Sequence, residues 1–171
     1  MIELEKTYLA KYIPKDIEHC KSKEIIDIYI PKSKEHPTLR IRKNGDNYEI
    51  TKKEPVNKGD SSHQEEQTII LRKDEFNELK KLDGKVARKI RYYFEYNGRT
   101  AEIDVFQDKL KGLILVDFEF KSKAEKDAFK MPEFCLADVT QEKFIAGGML
   151  CGKSYENIEK ELERFKYKKI V

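Results

Sequence analysis

The sequence predicts an α+β, mainly β fold in which eight antiparallel strands form a barrel or a sandwich. Runs that alternate apolar and polar residues recur through most of the 171-residue chain. Turn signals separate several of these runs, and the Asn97-Gly98 pair between two long runs is typical of a β-hairpin. Segments with helical periodicity are few and short. A chain of this length is expected to form one domain, residues 1–171.

Eight segments show the alternation expected of strands, in which side chains at i and i+2 share a face. In chain order the predicted strands are Ile2–Ala10, Lys23–Ile30, Thr38–Lys43, Tyr48–Glu54, Gln64–Leu71, Val86–Tyr96, Arg99–Phe106 and Leu113–Lys121. The turn Asn44-Gly45-Asp46-Asn47 follows the third strand, the polar loop Val56–Ser62 precedes the fifth, and Lys111-Gly112 precedes the eighth.

Helices are predicted at three places, so we expect them to flank the strands. Two of these segments, Asp74–Leu82 and Lys123–Phe129, lie between strands. The third begins at Glu156 and ends at about Lys166, and its residues Ile158, Leu162 and Phe165 share one helix face.

Composition argues against several classes of protein. The net charge of +3 is too small to indicate general nucleic-acid binding. The three cysteines, Cys20, Cys135 and Cys151, stand far apart without a C-x-x-C pair, which is typical of reduced thiols in a cytoplasmic protein. No apolar run approaches the roughly 20 residues of a membrane span, and nothing suggests a secretory signal. We therefore expect a cytoplasmic monomer or homodimer without nucleic-acid or membrane partners.

The stretch Gly147–Ser154, GGMLCGKS, matches the phosphate-binding P-loop pattern. A P-loop needs a buried strand before its glycines and a parallel sheet after its helix. The preceding residues are instead polar and turn-like, and only 17 residues follow Ser154. We therefore interpret the match as accidental and expect Gly147 and Gly148 to form a loop before the last helix, with Lys153 and Ser154 dispensable for binding.

Charged residues of one sign stand at alternate positions on five of the predicted strands, and a sixth carries Lys53 on the same face as Thr51. The acidic pairs are Glu3 and Glu5, Glu102 and Asp104, and Asp117 and Glu119; the basic residues are Arg40 and Arg42, Lys53, and Lys89 and Arg91. A sheet with one solvated face would explain any one strand. Across six strands, unsorted surface charges would mix signs, so the sorting favours a closed barrel whose charged face lines a tunnel.

A tunnel that holds both carboxylates and cations needs ligands of both signs. Clustered carboxylates repel one another unless a metal lies among them, and Mg²⁺ prefers oxygen ligands. Converging arginines and lysines suit a multiply charged anion such as a polyphosphate. The charge pattern therefore predicts a site for a metal–polyphosphate complex.

These residues resemble the CYTH superfamily, the triphosphate tunnel metalloenzymes, over nearly the whole chain. The matching segments, each weak alone but specific in this order, are Glu3-Leu4-Glu5-Lys6-Thr7, Leu39-Arg40-Ile41-Arg42-Lys43, Thr51-Lys52-Lys53, Lys89-Ile90-Arg91-Tyr92, Glu102-Ile103-Asp104, Asp117-Phe118-Glu119 and Asp138-Val139-Thr140 with Lys143. The resemblance implies an eight-stranded antiparallel closed tunnel that binds a triphosphate-containing small molecule with Mg²⁺ or Mn²⁺.

The resemblance also implies roles for individual residues. The expected metal ligands are Glu3, Glu5 and Glu119, with Asp117 and Asp104 nearby, and the expected catalytic residues are Glu3, Glu5, Asp117 and Glu119. Arg40, Arg42, Lys53, Lys89, Arg91 and Lys143 are expected to hold the phosphates. A further family carboxylate matches either Glu65 or Glu66.

One departure from the family pattern affects the function expected. The fifth position of the opening motif is a lysine in the family and Thr7 here. The sequence therefore leaves three hypotheses open: a metal-dependent triphosphatase acting on tripolyphosphate or a small organic triphosphate, a class IV-like adenylate cyclase that releases pyrophosphate from ATP, and a non-catalytic polyphosphate or nucleotide binder. No base-recognition pocket can be read from the sequence, which favours the first.

Overall fold

The computed structural model of the protein describes all 171 residues, Met1 to Val171. Nine strands form one sheet. They are β1 (Ile2–Ala10), β2 (Lys21–Ile30), β3 (Leu39–Asn44), β4 (Asn47–Pro55), β5 (His63–Leu71), β6 (Lys85–Tyr96), β7 (Arg99–Phe106), β8 (Ile114–Phe120) and β9 (Cys135–Asp138).

Strands β1 to β8 close into an antiparallel barrel. The sheet order is β5-β4-β3-β2-β6-β7-β8-β1-β9, and β5 also pairs with β1, which closes the ring. This confirms the predicted closed eight-stranded fold. The hairpin β6–β7 turns at Asn97 and Gly98, both with positive φ, as the Asn-Gly pair predicted.

Strand β1 has a divided edge. Its first residues, Ile2 to Leu4, pair with β5, while its last residues, Tyr8 to Ala10, pair with β9. Its other edge pairs with β8 over six consecutive residues. The barrel is therefore closed along β1 and β5 by a short seam, in which three register pairs are flanked by backbone hydrogen bonds from Glu66 to Met1 and from Glu5 to Ser62.

Short helices cover the outside of the barrel. The α-helices are α1 (Lys73–Leu79), α2 (Lys123–Ala128), α3 (Gly147–Leu150) and α4 (Tyr155–Glu163), and single 3-10 turns lie at Ile17–His19, Asp108–Leu110 and Lys143–Ile145. Helix α4 begins after Ser154, whose backbone N–H donates to Asn157 Oδ1 at 2.9 Å in a capping box. Its residues Ile158 and Leu162 are buried. The helices thus lie where predicted, although α1 and α4 end about three residues earlier.

Most of the hydrophobic core lies between the outer barrel face and the covering segments. Phe118 of β8 packs with Tyr8 and with Phe129, which follows α2. Ile41 of β3 packs in the same cluster as Phe76 of α1. Because apolar side chains point outward into this layer, the alternate side chains of the same strands point into the barrel, as the charge pattern predicted.

Strand β9 was missed by the sequence analysis. It spans only four residues, too few for the alternation of a strand to be recognised. It extends the sheet beyond the eight barrel strands, with Tyr8 paired to Asp138.

Candidate active site

The interior of the barrel is a cavity of about 590 Å³ lined by side chains from all eight strands. Ten carboxylates line it, against six lysine and arginine side chains, an excess of four formal negative charges. The carboxylates belong to Glu3, Glu5, Asp27, Glu49, Glu66, Glu102, Asp104, Asp117, Glu119 and Glu142, and the cations to Arg40, Arg42, Lys53, Lys89, Arg91 and Lys143. A polyphosphate alone would meet net repulsion here, so the charge balance favours an anion that enters with metal cations.

A cluster of three acidic side chains, called the carboxylate cluster below, lies beside the β1–β5 seam. Glu3 and Glu5 share the inner face of β1, and Glu119 lies on β8, where it is the register partner of Glu5. Burial raises the pKa of Glu119, and the charges of Glu3 and Glu5 raise it further. The Nζ of Lys53, from β4, lies 2.7 Å from Glu3 Oε2 and 2.9 Å from Glu5 Oε2. The ammonium of Lys53 therefore bridges two of the three carboxylates.

Two arginines of β3, called the basic group below, are held in place by side chains of β2. Arg42 donates from Nε and Nη2 to the two carboxylate oxygens of Asp27, at 2.6 and 2.9 Å. Burial opposes the charge of Asp27, but Arg42 and Arg40 outweigh it, so its pKa lies below its ordinary value. Arg40 donates to Tyr29 Oη at 3.1 Å and to Glu66 at 3.4 Å. Its buried Nε has no hydrogen-bond partner, which leaves a donor available to a ligand.

A second basic group lies on β6 and is held by β7. Arg91 donates to both oxygens of Asp104 at 2.7 Å and also contacts Glu102. Lys89 contacts the same Asp104, which is 1% exposed. Burial alone would raise the pKa of Asp104, but Arg91 and Lys89 outweigh it and lower the pKa to about 2. Asp104 therefore stays ionised between two cations.

Thr7 fixes the orientation of Asp117. Its hydroxyl donates to Asp117 Oδ1 at 2.7 Å, and Arg91 Nη2 lies 3.4 Å from the other oxygen. Thr140 in turn accepts from the backbone N–H of Thr7 at 3.0 Å and donates to Asp138 at 2.6 Å. The threonine that departs from the family lysine is thus a hydrogen-bond donor in the wall of the cavity.

The structure brings nearly all the predicted site residues together. Glu3, Glu5, Arg40, Arg42, Lys53, Lys89, Arg91, Asp104, Asp117 and Glu119 all line the cavity. Lys143 also reaches its rim, but its side chain is 65% exposed and its partner is Glu35, at 3.8 Å. Glu66, rather than Glu65, lines the cavity, because its register places it on the inner face with Lys53.

The sequence analysis missed Asp27 and Tyr29 on β2. Both line the cavity, and both are less than 5% exposed. The available signal was a single carboxylate inside the apolar run Ile25-Ile26-Asp27-Ile28, which is costly to bury without a partner. One carboxylate without an acidic neighbour at i+2 did not match the pattern of paired charges.

The P-loop pattern at Gly147–Ser154 lacks its structural context. No strand leads into it, since the preceding segment is the 3-10 turn Lys143–Ile145. Gly147 and Gly148 begin the short helix α3, and the expectation of a loop there was wrong. A Cβ at Gly148 would lie 2.1 Å from the Pro37 carbonyl oxygen, so this glycine serves close packing. Lys153 is absent from the cavity lining.

The side chains of the carboxylate cluster have the chemical character of ligands for a divalent cation. Glu3, Glu5 and Glu119 offer only oxygen donors, and their mutual repulsion is relieved by a cation among them. As the side chains stand, no three His, Cys, Asp or Glu side chains converge in an arrangement that could hold a metal ion. Lys53 occupies the space between Glu3 and Glu5 that such an ion would share.

Comparisons with known proteins agree with this architecture. The family model described as the CYTH domain matches residues 6–137. An inorganic triphosphatase from Nitrosomonas europaea is 30% identical over 145 residues, which cover 84% of this chain and 92% of that protein. No helix of the structure is long and apolar enough to cross a membrane.

Solved structures share the fold at lower identity. The crystal structure of an inorganic triphosphatase superimposes with a TM-score of 0.64 at 24% identity, covering 88% of this chain and 95% of that chain. A putative adenylate cyclase from Bacillus halodurans gives a TM-score of 0.53 at 14% identity, with 99% and 92% covered. A putative adenylyl cyclase from Hippeastrum, described as revealing a dominant triphosphatase activity, gives 0.51 at 11% identity, with 73% and 82% covered.

Proposed function

This chain belongs to the CYTH domain family, and on that premise we propose that it is a divalent-metal-dependent triphosphatase acting on inorganic tripolyphosphate or another small triphosphate. The observation that carries the proposal is the charge distribution inside the barrel, where buried cations and an excess of carboxylates line one cavity. Neither a free anion nor a free cation satisfies both sets, whereas a metal–triphosphate complex does. The relative from Nitrosomonas europaea, an inorganic triphosphatase, supports the choice of substrate class.

The cations of the barrel bind the phosphates and neutralise their charge. Arg40 and Arg42 on β3 and Lys89 and Arg91 on β6 point into the cavity from two sides of β2. Guanidinium groups contact phosphate oxygens through two parallel N–H groups, which fixes orientation as well as charge. Because phosphoryl transfer depends mainly on positioning and electrostatic stabilisation, these side chains supply most of what the reaction needs.

The acidic side chains of the cavity would hold the metal and orient the attacking water. Glu3, Glu5 and Glu119 would bind Mg²⁺ or Mn²⁺, with Asp117 nearby. The bound ion supplies Lewis-acid polarisation of phosphate oxygens. Thr7 aligns Asp117 so that its second oxygen faces the cavity beside Arg91. In that position Asp117 accepts a hydrogen bond from the water that attacks the terminal phosphorus in line with the leaving oxygen.

Thr7 favours a second candidate function, a polyphosphate or nucleotide binder without turnover. Its hydroxyl is directed to Asp117 at 2.7 Å and supplies no positive charge to a phosphate. Such a protein would bind tripolyphosphate tightly with Mg²⁺ or Mn²⁺ and release no orthophosphate.

A substrate panel tests the proposal. Purified protein is incubated with tripolyphosphate or ATP, with Mg²⁺ or Mn²⁺, and orthophosphate, pyrophosphate and cyclic nucleotide are measured. We expect orthophosphate from tripolyphosphate. Cyclic AMP and pyrophosphate from ATP would establish a cyclase instead, and binding without product would establish a binder.

A matched pair of variants tests the site. Glu5→Gln should lower kcat about 100-fold, comparable to the loss of one electrostatic group in other active sites. The control Glu54→Gln changes a residue of β4 whose side chain is 54% exposed and pairs with Lys52, so its kcat should stay close to that of the wild type. Full activity in Glu5→Gln would overturn the assignment of this cavity as the active site.

A further inference from the structure

The ammonium of Lys53 lies where it contacts both β1 carboxylates at once. Its Nζ is 2.7 Å from Glu3 and 2.9 Å from Glu5, and these three side chains are each at most 20% exposed. We propose that Lys53 is an internal counter-cation which makes metal binding and triphosphate binding depend on each other. The ammonium leaves Glu3 and Glu5 for phosphate when the metal takes its place. This inference rests on the proposed function, because it concerns the same metal and the same phosphates.

Lys53 and a divalent metal compete for the same oxygens. A divalent ion placed between Glu3 and Glu5 would need the space that the ammonium fills at 2.7 and 2.9 Å from their oxygens, and the two positive charges would repel each other. The ammonium must therefore move away from Glu3 and Glu5 before a metal ion can lie between them.

Glu119 shows what Lys53 leaves uncompensated. It lies opposite Glu5 in the β1–β8 register and lines the same cavity, whereas the ammonium of Lys53 forms ion pairs with Glu3 and Glu5. One positive charge shared by two carboxylates leaves the third repelled. A divalent ion compensates all three better than the ammonium does, once the ammonium has another partner.

A polyphosphate provides that partner. Lys53 shares the inner face of β4 with Thr51, which pairs with Arg40 of the basic group. An anion held by Arg40 therefore lies beside the flexible stem of Lys53 and attracts its ammonium. The anion draws the ammonium away from the oxygens that the metal needs, and the metal frees the ammonium for the anion. By thermodynamic linkage, each ligand raises the affinity for the other by the same factor.

The metal side of the coupling is measured by titrating free Mn²⁺ with the protein and recording its electron paramagnetic resonance signal, without substrate. We expect Lys53→Met to bind Mn²⁺ about tenfold more tightly than the wild type. Lys52→Met removes an outward lysine that pairs with Glu54 and should change nothing. Arg40→Gln removes a cavity cation that touches neither Glu3 nor Glu5, and it should shift the affinity by less than Lys53→Met.

The anion side is measured by calorimetric titration of tripolyphosphate in EDTA. Glu5→Gln removes a partner of Lys53, whereas Glu119→Gln removes a cavity carboxylate that does not contact it. Both remove one negative charge, so the difference between them isolates the release of Lys53. We expect Glu5→Gln to bind tripolyphosphate several-fold more tightly than Glu119→Gln.

The outcomes separate this inference from the proposed function. Lys53→Met with an unchanged or weaker Mn²⁺ affinity overturns the inference even if the wild type hydrolyses tripolyphosphate. An equal shift of the Mn²⁺ affinity in Lys53→Met and Arg40→Gln also overturns the inference. The overall electrostatic field of the cavity would then explain both shifts. If the wild type shows no turnover while both binding differences appear, the triphosphatase proposal fails and the coupling stands.

Discussion

The ion pair between Asp27 and Arg42 yields the sharpest prediction about stability. Their side chains are 6% and 10% exposed, and two hydrogen bonds of 2.6 and 2.9 Å join them. Asp27→Asn keeps the shape of the side chain and removes its charge. The buried guanidinium of Arg42 then keeps only the more distant carboxylate of Glu49, 3.9 Å from its Nε. Removing one partner of a buried pair costs about 3 kcal/mol or more, so we expect the free energy of unfolding to fall by about 3 kcal/mol.

The assay is urea unfolding of the two proteins at neutral pH, with Glu24→Gln as the control. Glu24 lies on the same strand but on the outer face, where its half-exposed side chain pairs with Lys43 and Arg88 at 3.2 and 3.1 Å. Exposed ion pairs contribute about 0–1 kcal/mol, so the control should lose little. Equal losses in Asp27→Asn and Glu24→Gln, both under about 1 kcal/mol, would refute the reasoning from burial.

The same pair predicts how the difference changes with pH. The pKa of Asp27 is lower in the folded protein than its ordinary value of 3.8, because Arg42 and Arg40 outweigh burial. The stabilisation by its charge is therefore complete well above pH 3.8 and is lost as the pH falls towards the folded pKa. The stability difference between wild type and Asp27→Asn should be constant from pH 7 to about 5 and should shrink below pH 4. A difference that grows on acidification would contradict this sign.

Three further predictions concern residues that sequence patterns singled out. In Thr7→Lys, the new side chain should pair with Asp117 and raise kcat for tripolyphosphate about tenfold. Overpacking should lower the free energy of unfolding by about 1–3 kcal/mol. A lower kcat in a folded variant would show that Thr7 does not limit the rate of hydrolysis. Lys153→Ala should leave kcat and KM within about twofold, since Lys153 is absent from the cavity lining, and a large loss would revive the P-loop. Gly148→Ala should lower Tm measurably, because its Cβ would lie 2.1 Å from the Pro37 carbonyl oxygen, and an unchanged Tm would argue against tight packing there.

Much of the barrel could be predicted from the sequence because charge and apolarity alternate with period two along its strands. Outward apolar residues such as Phe118 fix the face, and inward pairs such as Glu3 and Glu5 then line the interior. The choice between Glu65 and Glu66 could not be made, since two adjacent glutamates fit either register. The strand β4 resolves it by pairing Lys53 with Glu66.

The contacts between charged groups could not be predicted from the sequence. The family resemblance implied a place for Asp104 near the metal ligands, whereas in the fold Asp104 lies between Lys89 and Arg91. Which carboxylate meets which cation depends on the order of strands in the sheet, where β6 lies beside β7, and on the register between them. Neither quantity can be read from one strand alone.

The short seam between β1 and β5 has a consequence for motion. Three register pairs hold it, Ile2 to Leu4 against His63 to Glu65, with one further backbone hydrogen bond at each end, whereas β1 and β8 share six register pairs. Hydrogen exchange through local opening depends on the number of contacts that must break together. The amides of this seam are therefore expected to exchange before those of β8, while the rest of the barrel stays closed. Since Glu3 is one of the seam residues, fluctuations that unzip the seam change the spacing of the carboxylates, and a ligand that bridges them protects these amides.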